Sequence, residues 1–165
     1  MRPPTPVPSR PAKQYALWLL GTREWSAKEL AARLKLKGYP LEEVTECLAF
    51  CQQHDFQSDQ KFAASRTRMR APSHGNRRIA QELSQKGVAP DTISSALTEA
   101  GDEAERALQA AQRFAGKEQT QALKSKAWRF LTARGFSGGT IKAALKTLST
   151  QVPEECFLDD EPCAS

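Results

Sequence analysis

Histidine occurs only twice in the 165 residues, at positions 54 and 74. That leaves little material for a histidine-based metal centre or a serine–histidine hydrolase. No apolar run approaches the roughly 18 residues that a membrane span needs. The longest candidate, from Ala16 to Leu20, is far too short, so no membrane partner is expected. The opening residues, Met1 to Pro8, lack the apolar segment of a signal peptide, and a cytoplasmic location is expected. The four cysteines, Cys47, Cys51, Cys156 and Cys163, show no spacing of a disulfide framework and are expected to be reduced. There is no G-x-x-x-x-G-K-[ST] phosphate loop and no G-x-G-x-x-G. No segment alternates with the period of two that marks a strand.

Acids are scarce in one stretch. From Lys61 to Lys86 the cations Lys61, Arg66, Arg68, Arg70, Arg77, Arg78 and Lys86 face a single acid, Glu82. The end of the chain is the reverse. Glu154, Glu155, Asp159, Asp160 and Glu161 follow Ser149 without one base. A basic strip of this size implies an anionic partner rather than a fold. Arg66 and Arg70 share a helix face, Arg77, Arg78 and Gln81 follow at the start of the next helix, and Lys86 closes it. These six residues, Arg66, Arg70, Arg77, Arg78, Gln81 and Lys86, are the expected partner-binding set.

One apolar and glycine pattern occurs three times with identical spacing. It reads Leu30, Leu34, Gly38, Tyr39, Val44, Leu48; then Ile79, Leu83, Gly87, Val88, Ile93, Leu97; then Ala127, Leu131, Gly135, Phe136, Ile141, Leu145. The glycines lie 49 and then 48 residues apart. Apolar residues four apart share a helix face, and a glycine after a cation, as in Lys37-Gly38, Lys86-Gly87 and Arg134-Gly135, stops a helix in the left-handed conformation. Each pattern is therefore a helix, a glycine turn and a helix. A further helix precedes each pair, with apolar faces Ala16/Leu17/Leu20, Phe62/Ala63 with Met69, and Ala107/Leu108/Ala111/Phe114. Ser26-Ala27-Lys28-Glu29 has the form of a capping box. Pro40 and Pro90 stand where a first helical turn tolerates proline.

The expected fold is all-α, a tandem of three three-helix units forming an elongated, curved array of nine helices. The expected divisions are a proline-rich disordered arm at 1–13, units at 14–57, 58–101 and 102–149, and an acidic flexible tail at 150–165. Each unit is small, so neighbours are expected to stack their apolar faces and to depend on one another.

Three motifs invite a chemical reading. Gly135-Phe136-Ser137-Gly138-Gly139 matches a G-x-S-x-G nucleophile elbow, but a helix rather than a strand precedes it, and Ser137 reads as a helix N-cap. Cys47, Cys51 and His54 share a helix face without an evident fourth ligand, which reads as core packing rather than zinc. Asp102, Glu103 and Glu105 favour the dipole at a helix start. No catalytic constellation, metal or cofactor is expected.

The segment Phe56 to Arg66, with Asp59 before Phe62-Ala63, followed by Asn76 to Val88 (Arg78-Ile79-Ala80-Gln81-Glu82-Leu83-Ser84-Gln85-Lys86-Gly87), resembles the central signature of the RecX regulatory proteins. Ser26 to Leu30 with Lys37-Gly38-Tyr39, and Arg134-Gly135-Phe136, resemble the first and third repeats of that family. The likeness extends over about residues 14–149. Arg70 to Gly75 departs from the family pattern, which often carries a glycine near Pro72-Ser73. The resemblance implies tandem three-helix repeats and a monomer that binds the RecA filament on single-stranded DNA. It further implies inhibition of RecA's ATPase, recombinase and coprotease activities, hence regulation of DNA repair, recombination and the SOS response. Two alternatives follow from the residues themselves: a helical nucleic-acid-binding module acting independently of RecA, and a helical scaffold that binds only protein.

Overall fold

The computed structural model describes residues 10–115 and 121–150. The rest of the proline-rich segment and the acidic tail beyond Thr150 lie outside the described residues. Nine α-helices and no strand are present among the described residues. Unit one holds α1 (Ala12–Thr22), α2 (Ala27–Lys37) and α3 (Leu41–Gln53). Unit two holds α4 (Asp59–Arg70), α5 (Asn76–Gln85) and α6 (Pro90–Glu99). Unit three holds α7 (Glu103–Ala111), a 3-10 turn (Gln112–Phe114), α8 (Gln121–Ala133) and α9 (Gly138–Thr150). The first helix opens at Ala12, two residues inside the stretch expected as an arm.

The repeated glycines close the middle helix of each unit in the same way. Gly38, Gly87 and Gly135 have φ of 101°, 82° and 81°. Their N–H groups donate to Lys35, Ser84 and Thr132, and the following Tyr39, Val88 and Phe136 donate to Leu34, Leu83 and Leu131. This is the Schellman arrangement, which satisfies carbonyls that a helix end would leave orphaned. Tyr39, Val88 and Phe136 are all buried and fold back on the helix they terminate. At the other end of α2, Ser26 Oγ accepts from Glu29 N at 3.1 Å, as a capping box requires. Pro90 is the first residue of α6, whereas Pro40 is the residue before α3 rather than in its first turn.

Apolar burial is organised within units. Leu30, Leu34, Val44, Cys47 and Cys51 belong to one cluster, Phe62, Ile79, Leu83 and Ile93 to a second, and Ala107, Leu131, Phe136 and Ile141 to a third. The stacking of apolar faces between neighbours is therefore not what joins the units. Two first-helix expectations also need correction. Leu19, not Leu17, is the buried leucine of α1, and Met69 on α4 is 71% exposed. Both helices have weakly segregated apolar faces, so three-dimensional packing, not periodicity, decides which residue turns inward.

Polar and backbone contacts join the units, and the middle helices meet end to end. Ser26 Oγ donates to Lys86 O at 2.8 Å and Lys28 Nζ to Gln85 O at 3.1 Å, which seats the end of α5 on the start of α2. Gly75 N donates to Arg134 O at 2.9 Å, which seats the end of α8 on the start of α5. Orphan carbonyls of one helix thus face the N-terminus of the next, an arrangement the helix dipoles favour. The first helix of each following unit completes the junction with its opening acid. Asp59 Oδ1 accepts from Ala27 N at 2.9 Å, and Glu103 Oε1 accepts from Asn76 N at 2.6 Å. Ala27 and Asn76 are the first residues of α2 and α5, so the two acids serve equivalent N–H groups. Arg106, only 8% exposed, adds bonds from α7 to Ala71 O, His74 O and Asn76 Oδ1.

Candidate partner-binding surface

The second unit presents the basic strip. Ile79 and Leu83 anchor α5 in the core at 1% and 0% exposure, so Arg77, Arg78 and Gln81 are turned outward and are exposed. Arg66, Arg70, Arg78, Gln81 and Lys86 line one open depression of about 390 Å3, together with Glu82. Five of the six expected residues therefore come together there. Arg77 is exposed in the first turn of α5 but is not part of that lining.

The strip is less bare than its sequence implies. Arg66 is bonded to Glu82 through Nε at 3.0 Å and also through its terminal nitrogen, and Arg70 Nε lies 3.1 Å from the other Glu82 oxygen. Partial burial pushes the Glu82 carboxyl up, but the hydrogen bonds and charges of Arg70 and Arg66 outweigh this and hold it below the ordinary carboxylate value. Lys86 reaches across to unit one and pairs with Glu29 at 2.5 Å, while Arg23 lies 3.6 Å from the other Glu29 oxygen. Burial raises the Glu29 carboxyl too, and the Lys86 and Arg23 contacts more than reverse the effect. Lys61 pairs with Asp55 at 2.6 Å. Arg77 and Arg78 form no ion pair among the described residues. Sequence reasoning counted Glu82 as the lone acid but gave it no task, and it missed Glu29, because that partner comes from another unit.

The other motifs find structural employment. Ser137 Oγ accepts from Thr140 N at 3.2 Å and pairs with Thr140 Oγ1 at 2.6 Å, immediately before α9. It is a helix cap between two helices, as its sequence context implies. Ser137→Ala is expected to cost about 1 kcal/mol of stability and to leave partner binding intact. Urea unfolding paired with a binding titration checks this, and lost binding in a fully folded variant would contradict it. Cys47 and Cys51 are fully buried, and burial, followed by the neighbouring Cys51, pushes the Cys47 thiol up to about 12. Both thiols pack as apolar groups, while His54 is exposed at the end of α3. Among the described residues no group of three histidine, cysteine or acidic side chains is clustered as a metal site. No described helix is long and apolar enough to cross a membrane.

Three consecutive stretches match the domains of one family in their order along the chain. Residues 12–51 match the first three-helix domain of RecX, 58–97 the second and 101–145 the third. The chain belongs to the RecX family. Its relatives include the Regulatory protein RecX of Vibrio parahaemolyticus, 37% identical over 143 residues, covering 84% of this chain and 92% of that protein. The Regulatory protein RecX of Pasteurella multocida is 39% identical over 135 residues, covering 78% and 82%. The crystal structure of RecX from Lactobacillus salivarius shares the fold with a TM-score of 0.76 at 21% identity, covering 84% of this chain and 95% of that one. A second crystal structure, of regulatory protein RecX, gives 0.72 at 25% identity, covering 82% and 70%. The three-unit RecX architecture thus supplies the frame on which the strip of unit two is displayed.

Proposed function

We propose that this RecX-family chain is a regulatory protein that binds the RecA filament on single-stranded DNA and inhibits RecA's ATPase, recombinase and coprotease activities. It does so as a monomer, in the cytoplasm, without a cofactor. The observation that carries the reading is the convergence of Arg66, Arg70, Arg78, Gln81 and Lys86 on one open depression, with Arg77 exposed beside it. Arg66 and Arg70 are already held by Glu82, so a partner must exchange for that carboxylate or add to it. A protein surface that offers both an acid and a donor suits such an exchange better than a plain polyanion does. Arginine forks also give a bidentate contact that fixes orientation.

The test is retention of the chain on immobilised RecA, with and without single-stranded DNA and a non-hydrolysable nucleotide. Retention on the assembled filament that exceeds retention on RecA alone and on bare single-stranded DNA is the expected result. Equal retention on bare DNA would replace this reading with that of an independent nucleic-acid module, and retention on neither would overturn both.

A further inference from the structure

A second basic surface lies outside the strip. From Gln121 to Thr150 the chain carries Lys124, Lys126, Arg129, Arg134, Lys142 and Lys146 and not one acid. This stretch forms α8 and α9. Lys124, Lys126 and Arg129 are exposed and form no ion pair among the described residues, in contrast to Lys61, Arg66, Arg70 and Lys86 of unit two. Trp128 stands among them at 42% exposure. Ala127 and Leu131 hold α8 in the core, so Lys124 lies one turn before Trp128 on the same flank, and Arg129 lies on the adjoining outer face.

The three tryptophans are not alike. Trp18 stacks on Tyr15 with ring centroids 5.8 Å apart. Trp25 donates to Leu19 O and carries Arg23 over its ring at 3.6 Å. Trp128 has no ring or cation partner among the described residues. An indole with an open face between uncompensated cations is the chemistry that single-stranded nucleic acid uses: a base stacks on the ring, and the flanking phosphates meet the cations. A duplex keeps its bases stacked on one another and offers the ring nothing.

We infer that the outer face of α8 binds single-stranded nucleic acid directly, with Trp128 stacking one unpaired base and Lys124 and Arg129 holding the backbone beside it. The end-to-end junction sets the end of α8 against the start of α5. Gly135, seven positions after Trp128 and just past the end of α8, abuts the Arg78 backbone at the start of α5. Unit three then contacts the strand while unit two contacts protein. That division of labour rests on the reading given above for the strip; strand binding itself does not.

The experiment titrates labelled oligothymidylate with the full chain, without RecA, by fluorescence anisotropy at several salt concentrations. Trp128→Ala is expected to weaken binding about tenfold, within the range of one lost stacking contact, whereas Trp128→Phe retains most of the affinity. Neutralising Lys124 and Arg129 is expected to flatten the slope of log affinity against log salt by about 1.4. A duplex of equal length is expected to be indifferent to Trp128. Circular dichroism confirms that each variant is folded. Unchanged affinity in folded Trp128→Ala, an equal loss on duplex, or single-strand binding that vanishes on reversing Arg77 and Arg78 but survives the α8 changes would each overturn the inference. Lost RecA inhibition with intact strand binding would instead count against the reading of the strip alone.

Discussion

Arg77→Glu combined with Arg78→Glu is expected to shift the RecA inhibition curve by roughly tenfold or more while leaving helicity unchanged. Both side chains are exposed, and neither holds an internal partner among the described residues. They stand in the first turn of α5, where two cations oppose the helix dipole. Reversal suits the dipole but sets a carboxylate at position 78 one turn from Glu82, so thermal unfolding of the variant separates lost inhibition from instability. Charge-assisted contacts to a partner contribute about 1.5–3 kcal/mol each, enough for such a shift even after solvent screening. The loss should be steeper at low ionic strength, because exposed contacts are already screened at high salt. RecA ATPase on single-stranded DNA, titrated with both proteins at two salt concentrations, provides the measurement. Superimposable curves for the folded variant would move the interface away from unit two.

Gly75→Ala is expected to cost about 2–3 kcal/mol, at the upper end of over-packing effects, and to lower the melting temperature by about 10 °C. The reason is space, not backbone conformation, since Gly75 has an ordinary φ of −77°. A Cβ there would lie 2.3 Å from Phe136 N and 2.4 Å from the carbonyl of Gly135. Backbone cannot rotate aside as a side-chain tip can, so the junction between units two and three must open. Gly135→Ala meets the same junction from the other side, 2.6 Å from Arg78 N, and adds the strain of φ 81°. The two changes share one contact, and their combined cost should be less than additive. Gly21→Ala is the control. It lies within α1 with nothing within 4 Å of the added methyl, and it should gain up to about 1 kcal/mol. Thermal unfolding followed by circular dichroism compares all three, and a Gly75→Ala protein that melts with the wild type would refute the close-packed junction.

Much of this molecule follows from interactions between residues a few positions apart, and those were legible in the chain alone. The spacing of Leu34, Gly38 and Tyr39, with its two repeats, determined three Schellman turns, because their hydrogen bonds close over four to six residues. Ser26 and Ser137 announced helix starts for the same reason. Ile79 and Leu83 placed Arg78 and Gln81 on the outside, since one face of a helix excludes the other. What tertiary structure decided was everything carried by distant partners. Lys86 meets Glu29 across 57 residues, Ser26 meets the Lys86 carbonyl across 60, and Arg134 reaches the Ser73 carbonyl across 61. Packing likewise decided that Arg66 and Arg70 are compensated by Glu82 and Lys86 by Glu29, and that Trp128 stays 42% exposed. Those distant contacts also decided that three small cores are joined by hydrogen bonds and by glycines without room for a methyl group, rather than by shared apolar faces. Periodicity reports which side of a helix is apolar. It carries no information about which helix end, sixty residues away, will supply the missing hydrogen bond.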